Sequence, residues 1–233
     1  MKRILTFMLN KLSRVVYHLI PKEVKEENNN LNFLNRNLIA EMNQEVLETF
    51  SNDLKKSIRF NDEISIRKYA INLALSNEHS LGNLENLYYL EFGVWKGKSS
   101  NFFSRYINKL YSFDSFEGLP NEWEGQKPKG YFNLNKKIPK LNSNIEPIIG
   151  YVEDTLDGFL KEHNPKINFI HMDMDLYQSS KFTLSKVKPY LQKGSIILFD
   201  ELYNYINWKS GEYKALKEIF EDHEYIYRSF NLQ

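Results

Sequence analysis

The stretch Tyr88-Tyr89-Leu90-Glu91-Phe92-Gly93-Val94-Trp95-Lys96-Gly97-Lys98-Ser99-Ser100 decides the fold. An apolar run breaks at a glycine and passes into a segment of helical character. A glycine at such a turn lets a ligand approach the backbone, and the helix that follows offers unpaired N–H groups to an anion. Gly93 and Gly97 do not have the spacing of the dinucleotide fingerprint G-x-G-x-x-G, so the turn alone reads equally as a cofactor loop or a structural bend. Further apolar runs follow at Leu110–Phe113, Pro147–Ile149, Ile167–Met172, Ser195–Phe199 and Tyr225–Ser229. Helical stretches at Ser99–Asn108, Thr155–His163, Ser179–Leu191 and Glu212–Asp222 separate most of them. This alternation predicts βαβ units, hence an α/β, doubly wound, mostly parallel sheet with its sites at the carboxyl ends of the strands. The long Gly- and Pro-bearing connection from Glu117 to Glu146 leaves one of those ends and reads as a lid.

Upstream, residues 33–85 carry helical periodicity, clearest in Ile64, Ile66, Tyr69, Ala70, Leu73 and Ala74, with Asn61 or Asp62 placed to cap. They read as a helical lead-in to a sheet core at 86–233. Lys22–Asn32 is charged and Asn-rich and reads as a linker. Residues 1–20 place Ile4, Met8, Leu12, Val15, Val16 and Leu19 on one face of a basic amphipathic helix. That helix either docks on its own domain or a dimer partner, or makes peripheral contact with an anionic membrane surface. No segment reaches the roughly 20 apolar residues of a spanning helix. The domains expected are therefore 1–32, amphipathic helix and linker, and 33–233, one α/β domain.

With 233 residues, 42% of them apolar, the chain can fill one core of this size. A net charge of +1 provides no field for nucleic acid, which is not expected as a partner. The absence of cysteine excludes disulfides, thiolate metal sites and cysteine nucleophiles. It also fits a cytoplasmic location.

Asp114 follows the second run at the distance expected of a ribose-binding carboxylate, about 20 residues after the first strand. It is also placed to cap its own turn with Ser115. The fourth run delivers His171-Met172-Asp173-Met174-Asp175 and the fifth Phe199-Asp200-Glu201, so acids gather at the ends of two strands that should be neighbours. Carboxylates so placed repel unless a cation neutralises them, and oxygen-only ligation suits magnesium, manganese or calcium. Alternatively one or two of them bind a ligand's ammonium group or cap helices.

These motifs, Leu90–Ser99, Phe113-Asp114-Ser115-Phe116-Glu117-Gly118-Leu119-Pro120, His171–Lys181 and Phe199-Asp200-Glu201, occur in an order that resembles the macrocin O-methyltransferase family. The resemblance spans roughly Ile66 to the C-terminus. It implies a class I methyltransferase that uses S-adenosylmethionine and magnesium to methylate a hydroxyl of a small sugar or glycoside acceptor. It implies that Glu91 and Gly93 line the methionine portion, that Asp114 binds the ribose, and that Asp154 lies near the adenine. Ser99, Ser115, Glu153 and Asp173 complete the cofactor set. Asp173, Asp200 and Glu201 are then the metal ligands, with Asp175 behind them or in place of Asp173. Two departures stand out. The family usually has two Asp residues where this chain has Asp200-Glu201, and the chain stops just past the sixth run, where the fold adds a seventh, antiparallel strand.

For the chemistry, Asp173, Glu201 and Glu212 are the catalytic candidates, and the candidate bases are Glu201, Glu212 and His171. His171 lies inside a buried run and reads as a satisfied core residue. Tyr203, Tyr205 and Trp208 read equally as a platform for a sugar face or as loop packing. A homodimer through the leading helices is compatible with the pattern. The competing readings are an NAD-type oxidoreductase, disfavoured by the glycine spacing, and a non-catalytic adaptor of the same fold held through residues 1–20.

Overall fold

A computed structural model describes residues 22–81 and 87–232. The amphipathic segment 1–20 lies outside them. The chain divides into two compact units, one ending at Leu47 and the other running from Glu48 to Gln233, and the second holds the sheet.

In chain order the elements are α1 (Lys22–Lys56), β1 (Ile58–Phe60), α2 (Glu63–Leu81), β2 (Leu87–Phe92), α3 (Lys98–Phe103), β3 (Leu110–Asp114), β4 (Ile145–Ile149) and α4 (Val152–His163). There follow β5 (Lys166–Met172), α5 (Tyr177–Val187), β6 (Leu191–Phe199), α6 (Glu212–Ile219) and β7 (Ser229–Asn231), with short 3₁₀ turns at Lys188–Tyr190 and Trp208–Ser210. The main sheet has the order β4-β3-β2-β5-β6 with every pair parallel. The chain thus runs outward to one edge, returns beside β2 and runs to the other edge. That places the switch point between β2 and its neighbours, where an open α/β sheet binds ligands.

Alternation along β2 assigns the two layers. Leu90 and Phe92 join Phe113, Ile170, Met172 and Leu184 in one core. Tyr89 points the other way and packs with Ala70, Ile71, Phe103 and Phe169 in a second core. Helix α2 starts where expected, with the Asp62 side chain accepting the N–H of Ser65 at 2.8 Å.

Three elements depart from the sequence reading. Lys22–Asn32 belongs to α1 and is not a linker. Lys and Glu are good helix formers, so low hydrophobicity does not separate a solvated helix from a loop. The helical lead-in also contains a strand, β1. The sixth run does not join the main sheet: its only strand, β7, pairs in parallel with β1, Phe230 opposite Arg59, in a separate two-stranded sheet. The aromatic side chains there serve packing, with Phe50 at the centre of a cluster of Tyr203, Trp208, Tyr213, Tyr227 and Phe230. Among the described residues, no helix is long and apolar enough to cross a membrane.

Candidate active site

A cleft of about 130 Å³, open to solvent, lies over the carboxyl ends of β2, β3 and β5. Backbone bonds carry the parallel register past the strand ends: Gly93 N–H reaches Phe113 O, Asp173 N–H reaches Phe92 O, and Asp200 N–H reaches Met172 O, each at 2.9 Å. Gly93 has φ +89°, and a Cβ there would stand 1.8 Å from the carbonyl oxygen of Asp173. Only glycine lets β2 turn under the motif of β5.

Asp114 organises the turn that follows. Its Oδ2 accepts the N–H groups of Val94 and Trp95, both at 2.8 Å, and its Oδ1 accepts that of Phe116 at 2.7 Å. Two N–H groups expected to face an anionic ligand are therefore taken by the chain's own carboxylate. Asp114 also lines the cleft with Gly93, Ser115, Glu153, Asp173 and Asp175. Ser115 closes its own turn by accepting the N–H of Glu117 at 3.1 Å. Glu153 accepts the Ser179 hydroxyl at 2.8 Å. The Glu117–Glu146 connection roofs the cleft with Gly118, Leu119, Pro120 and Phe132. It is folded on itself through Gly130 N–H to Leu119 O and Leu119 N–H to Tyr131 O, both at 2.9 Å.

Beside the cleft the acids converge. Among the described residues, donor atoms of Asp173, Asp175 and Glu201 lie within 4.8 Å of one another, as do those of His171, Asp173 and Asp200. Burial and the charges of Asp200 and Glu201 hold the Asp173 carboxyl well above the usual range. Burial and Asp173 push Asp175 up to about 8. Burial and Asp175 push Glu201 up to about 9. Asp175 also sits at φ +60°, a left-handed conformation of the sort that persists where surrounding structure imposes it. Glu201 Oε2 is buried without a hydrogen-bond partner.

Asp200 differs from its neighbours. Burial alone would raise it, but His171 and Arg67 outweigh that and hold it below the carboxylate range. Arg67 Nη2 donates to its Oδ1 at 2.8 Å, and His171 Nε2 faces the same oxygen at 3.5 Å. His171 is fully buried, with Nδ1 3.1 Å from Glu91 Oε1. Burial opposes its charge, yet Asp200 and Glu91 raise it to about 10. Placed between Glu91 and Asp200, the imidazole of His171 bridges the two carboxylates.

Glu212, the first residue of α6, is completely buried. Its Oε1 accepts the Met174 N–H at 3.3 Å and its Oε2 has no partner. Burial and Glu201 hold its carboxyl well above the usual range.

The structure thus brings Gly93, Asp114, Ser115, Glu153, Asp173, Asp175, Glu201 and Glu212 to one region, with Asp200 at its edge. Three expected cofactor contacts are absent from the lining. Glu91 shares a face with Tyr89 and is sealed in a network, accepting the hydroxyls of Ser100 and Ser112. Ser99 is buried in α3, and Asp154 lies on the exposed side of α4, one residue past the cleft. Trp208 and Tyr203 are packing residues: Trp208 is fully buried, and the Tyr203 hydroxyl donates to Asn231 O. Tyr205 alone reaches the roof, 5.4 Å from Trp123. Sequence reasoning missed Arg67. Its signal was a cation on the face of α2 that carries Ile71 and Ala74.

A sheet of this order, with its cleft above the central strand, is that of the class I S-adenosylmethionine-dependent methyltransferases. The chain has this fold, and residues 90–202 match the model of a family described as a methyltransferase domain. The crystal structure of CalS11, a calicheamicin methyltransferase, aligns with a TM-score of 0.55 at 22% identity, covering 67% of this chain and 70% of that one. An apo structure of CalS11, described as a TDP-rhamnose 3'-O-methyltransferase, aligns with a TM-score of 0.49 at 22% identity, covering 70% and 71%. No curated protein sequence matches the chain significantly. The lining combines the carboxylates of Asp114, Glu153, Asp173 and Asp175 with apolar Val94, Leu119 and Phe132, a chemistry compatible with a cationic, adenine-bearing methyl donor. The carboxylate oxygens of Asp173, Asp175 and Glu201 and the orphaned Glu201 Oε2 fit a hard divalent cation.

Proposed function

We propose that this protein is an S-adenosylmethionine-dependent methyltransferase that acts on a hydroxyl oxygen of a sugar or glycoside and uses a divalent cation, magnesium first, held by Asp173, Asp175, Asp200 and Glu201. The observation that carries the reading is the convergence of Asp173, Asp175 and Glu201 on one point beside the cleft, where a bound cation would offset the mutual repulsion of the carboxylates. A divalent cation supplies Lewis acidity, making an acceptor hydroxyl easier to deprotonate.

The chain's own residues do the rest. Asp114 builds the turn and presents its outer lone pairs to the ribose hydroxyls. Glu153, fixed by Ser179, lines the adenine side. Glu212, with an unpartnered oxygen next to Glu201, receives the acceptor's proton, a task suited to a carboxyl whose proton affinity is raised. The roof residues Leu119, Pro120 and Phe132 exclude water, and alignment of oxygen, methyl carbon and sulfur supplies most of the rate. The sugar acceptor rests on the motif resemblance and on this acid cluster, which suits a vicinal diol.

The test is titration calorimetry of S-adenosylmethionine with magnesium and with EDTA, followed by methyl transfer to a panel of nucleotide sugars and glycosides read by mass spectrometry. Magnesium-dependent methylation of a sugar hydroxyl is expected. Transfer that is equally fast in EDTA, or that goes only to nitrogen or carbon acceptors, would refute the reading.

A further inference from the structure

Arg67 belongs to none of the motifs and does not line the cleft, yet it is buried and reaches the acid cluster from α2. Its guanidinium is held at both ends: Nη1 donates to Glu63 Oε2 at 3.1 Å and Nη2 to Asp200 Oδ1 at 2.8 Å. Glu63 is further tied to Lys98 at 3.0 Å. The same Oδ1 of Asp200 is faced by His171, which Glu91 anchors from behind. Asp200 follows β6 directly, and its side chain is about one-third exposed, so a free carboxylate there would rotate.

We infer that Arg67 is a positioning residue: with His171 it fixes one carboxylate oxygen of Asp200, so that the other oxygen is the one presented to the cation. The inference rests on the proposed metal site. A guanidinium is suited to this role because its planar fork holds two carboxylates in fixed geometry, which a lysine ammonium does not. A merely charge-balancing role makes the opposite prediction, since removing a positive charge beside a cation site strengthens cation binding by Coulomb's law.

Mn²⁺ serves as the probe, titrated into the full chain and followed by the electron paramagnetic resonance of the free ion. S-adenosylmethionine affinity is measured separately in EDTA. Arg67→Met should weaken Mn²⁺ binding by about 10- to 100-fold, the usual effect of losing a group that orients a ligand, with Arg67→Lys in between and cofactor affinity unchanged in both. If Arg67→Met does not fold, Arg67→Lys decides by the same criterion. Mn²⁺ binding as tight as in the wild type or tighter, or an equal loss of cofactor affinity, overturns the inference. Failure of the wild type to bind Mn²⁺ overturns the metal reading and the inference with it.

Discussion

Replacing Asp114 by alanine removes the acceptor of three backbone N–H groups, and the cost follows from where those groups lie. Bonds to a charged acceptor contribute about 1.5–3 kcal/mol each when shielded from water. Trp95 is exposed and water replaces the acceptor there, so Val94 and Phe116 carry the loss. Relief of repulsion on Asp175 offsets part of it. The remainder is about 2–4 kcal/mol, and at about 2–4 °C per kcal/mol for a domain of this size the melting temperature falls by roughly 5–15 °C. Circular dichroism melts in EDTA without cofactor make the measurement. Asp114→Asn keeps one oxygen acceptor and should lose about half as much, yet weaken S-adenosylmethionine binding substantially by calorimetry. An alanine variant that melts within 2 °C of the wild type would refute the view that this carboxylate builds the loop before it binds anything.

Metal-free protein should lose stability as pH rises. Asp175 and Glu201 have folded pKa values raised to about 8 and 9, so the folded state binds more protons than the unfolded state above about pH 4, and unfolding becomes easier up to about pH 9. His171, raised to about 10, adds stability that is full below about pH 6.5 and lost on the same rising limb. Magnesium should flatten this fall, whereas a melting temperature in EDTA that climbs from pH 5.5 to 8.5 would contradict the assignment. Glu212→Gln should lower kcat by about 100-fold or more with cofactor affinity little changed, and full turnover would remove Glu212 from the chemistry. Gly93→Ala places a methyl group 1.8 Å from Asp173 O and should yield insoluble or destabilised protein, which solubility and thermal melts would report. Wild-type melting of that variant would show that the two strand ends are free to separate.

The parallel order of strands and the acids at their ends were legible because burial on both faces makes each strand a short apolar run and each switch-point turn needs Gly or Asp. The direction of side chains was less so. Glu91 reads as a cleft residue by its place before Gly93, but a period of two turns it to the face of Tyr89, where Ser100, Ser112 and His171 hold it. Tyr225–Ser229 reads as a strand from its aromatic content, whereas those rings pack around Phe50 and only the last residues pair. Arg67 escaped notice because its partner, Asp200, stands 133 positions away, and no local pattern encodes such a pair. Asp175 was legible as an acid but not as a left-handed residue, since nothing in its residue type or spacing marks that conformation.

Among the described residues, the roof over the cleft is fastened to the loop after β6 by an edge-on pair, Trp123 with Tyr205 at 5.4 Å, and a bond, Gln126 Nε2 to Ile206 O at 3.3 Å. An aromatic pair contributes about 0.5–1.5 kcal/mol and an exposed hydrogen bond about as much. A latch of roughly 2 kcal/mol leaves the roof unfastened a few per cent of the time at equilibrium. Opening this latch breaks no bond of the sheet. Because the latch is made by the loop that also carries Glu201, the cover of the cleft and one wall of the acid cluster share a single stretch of chain.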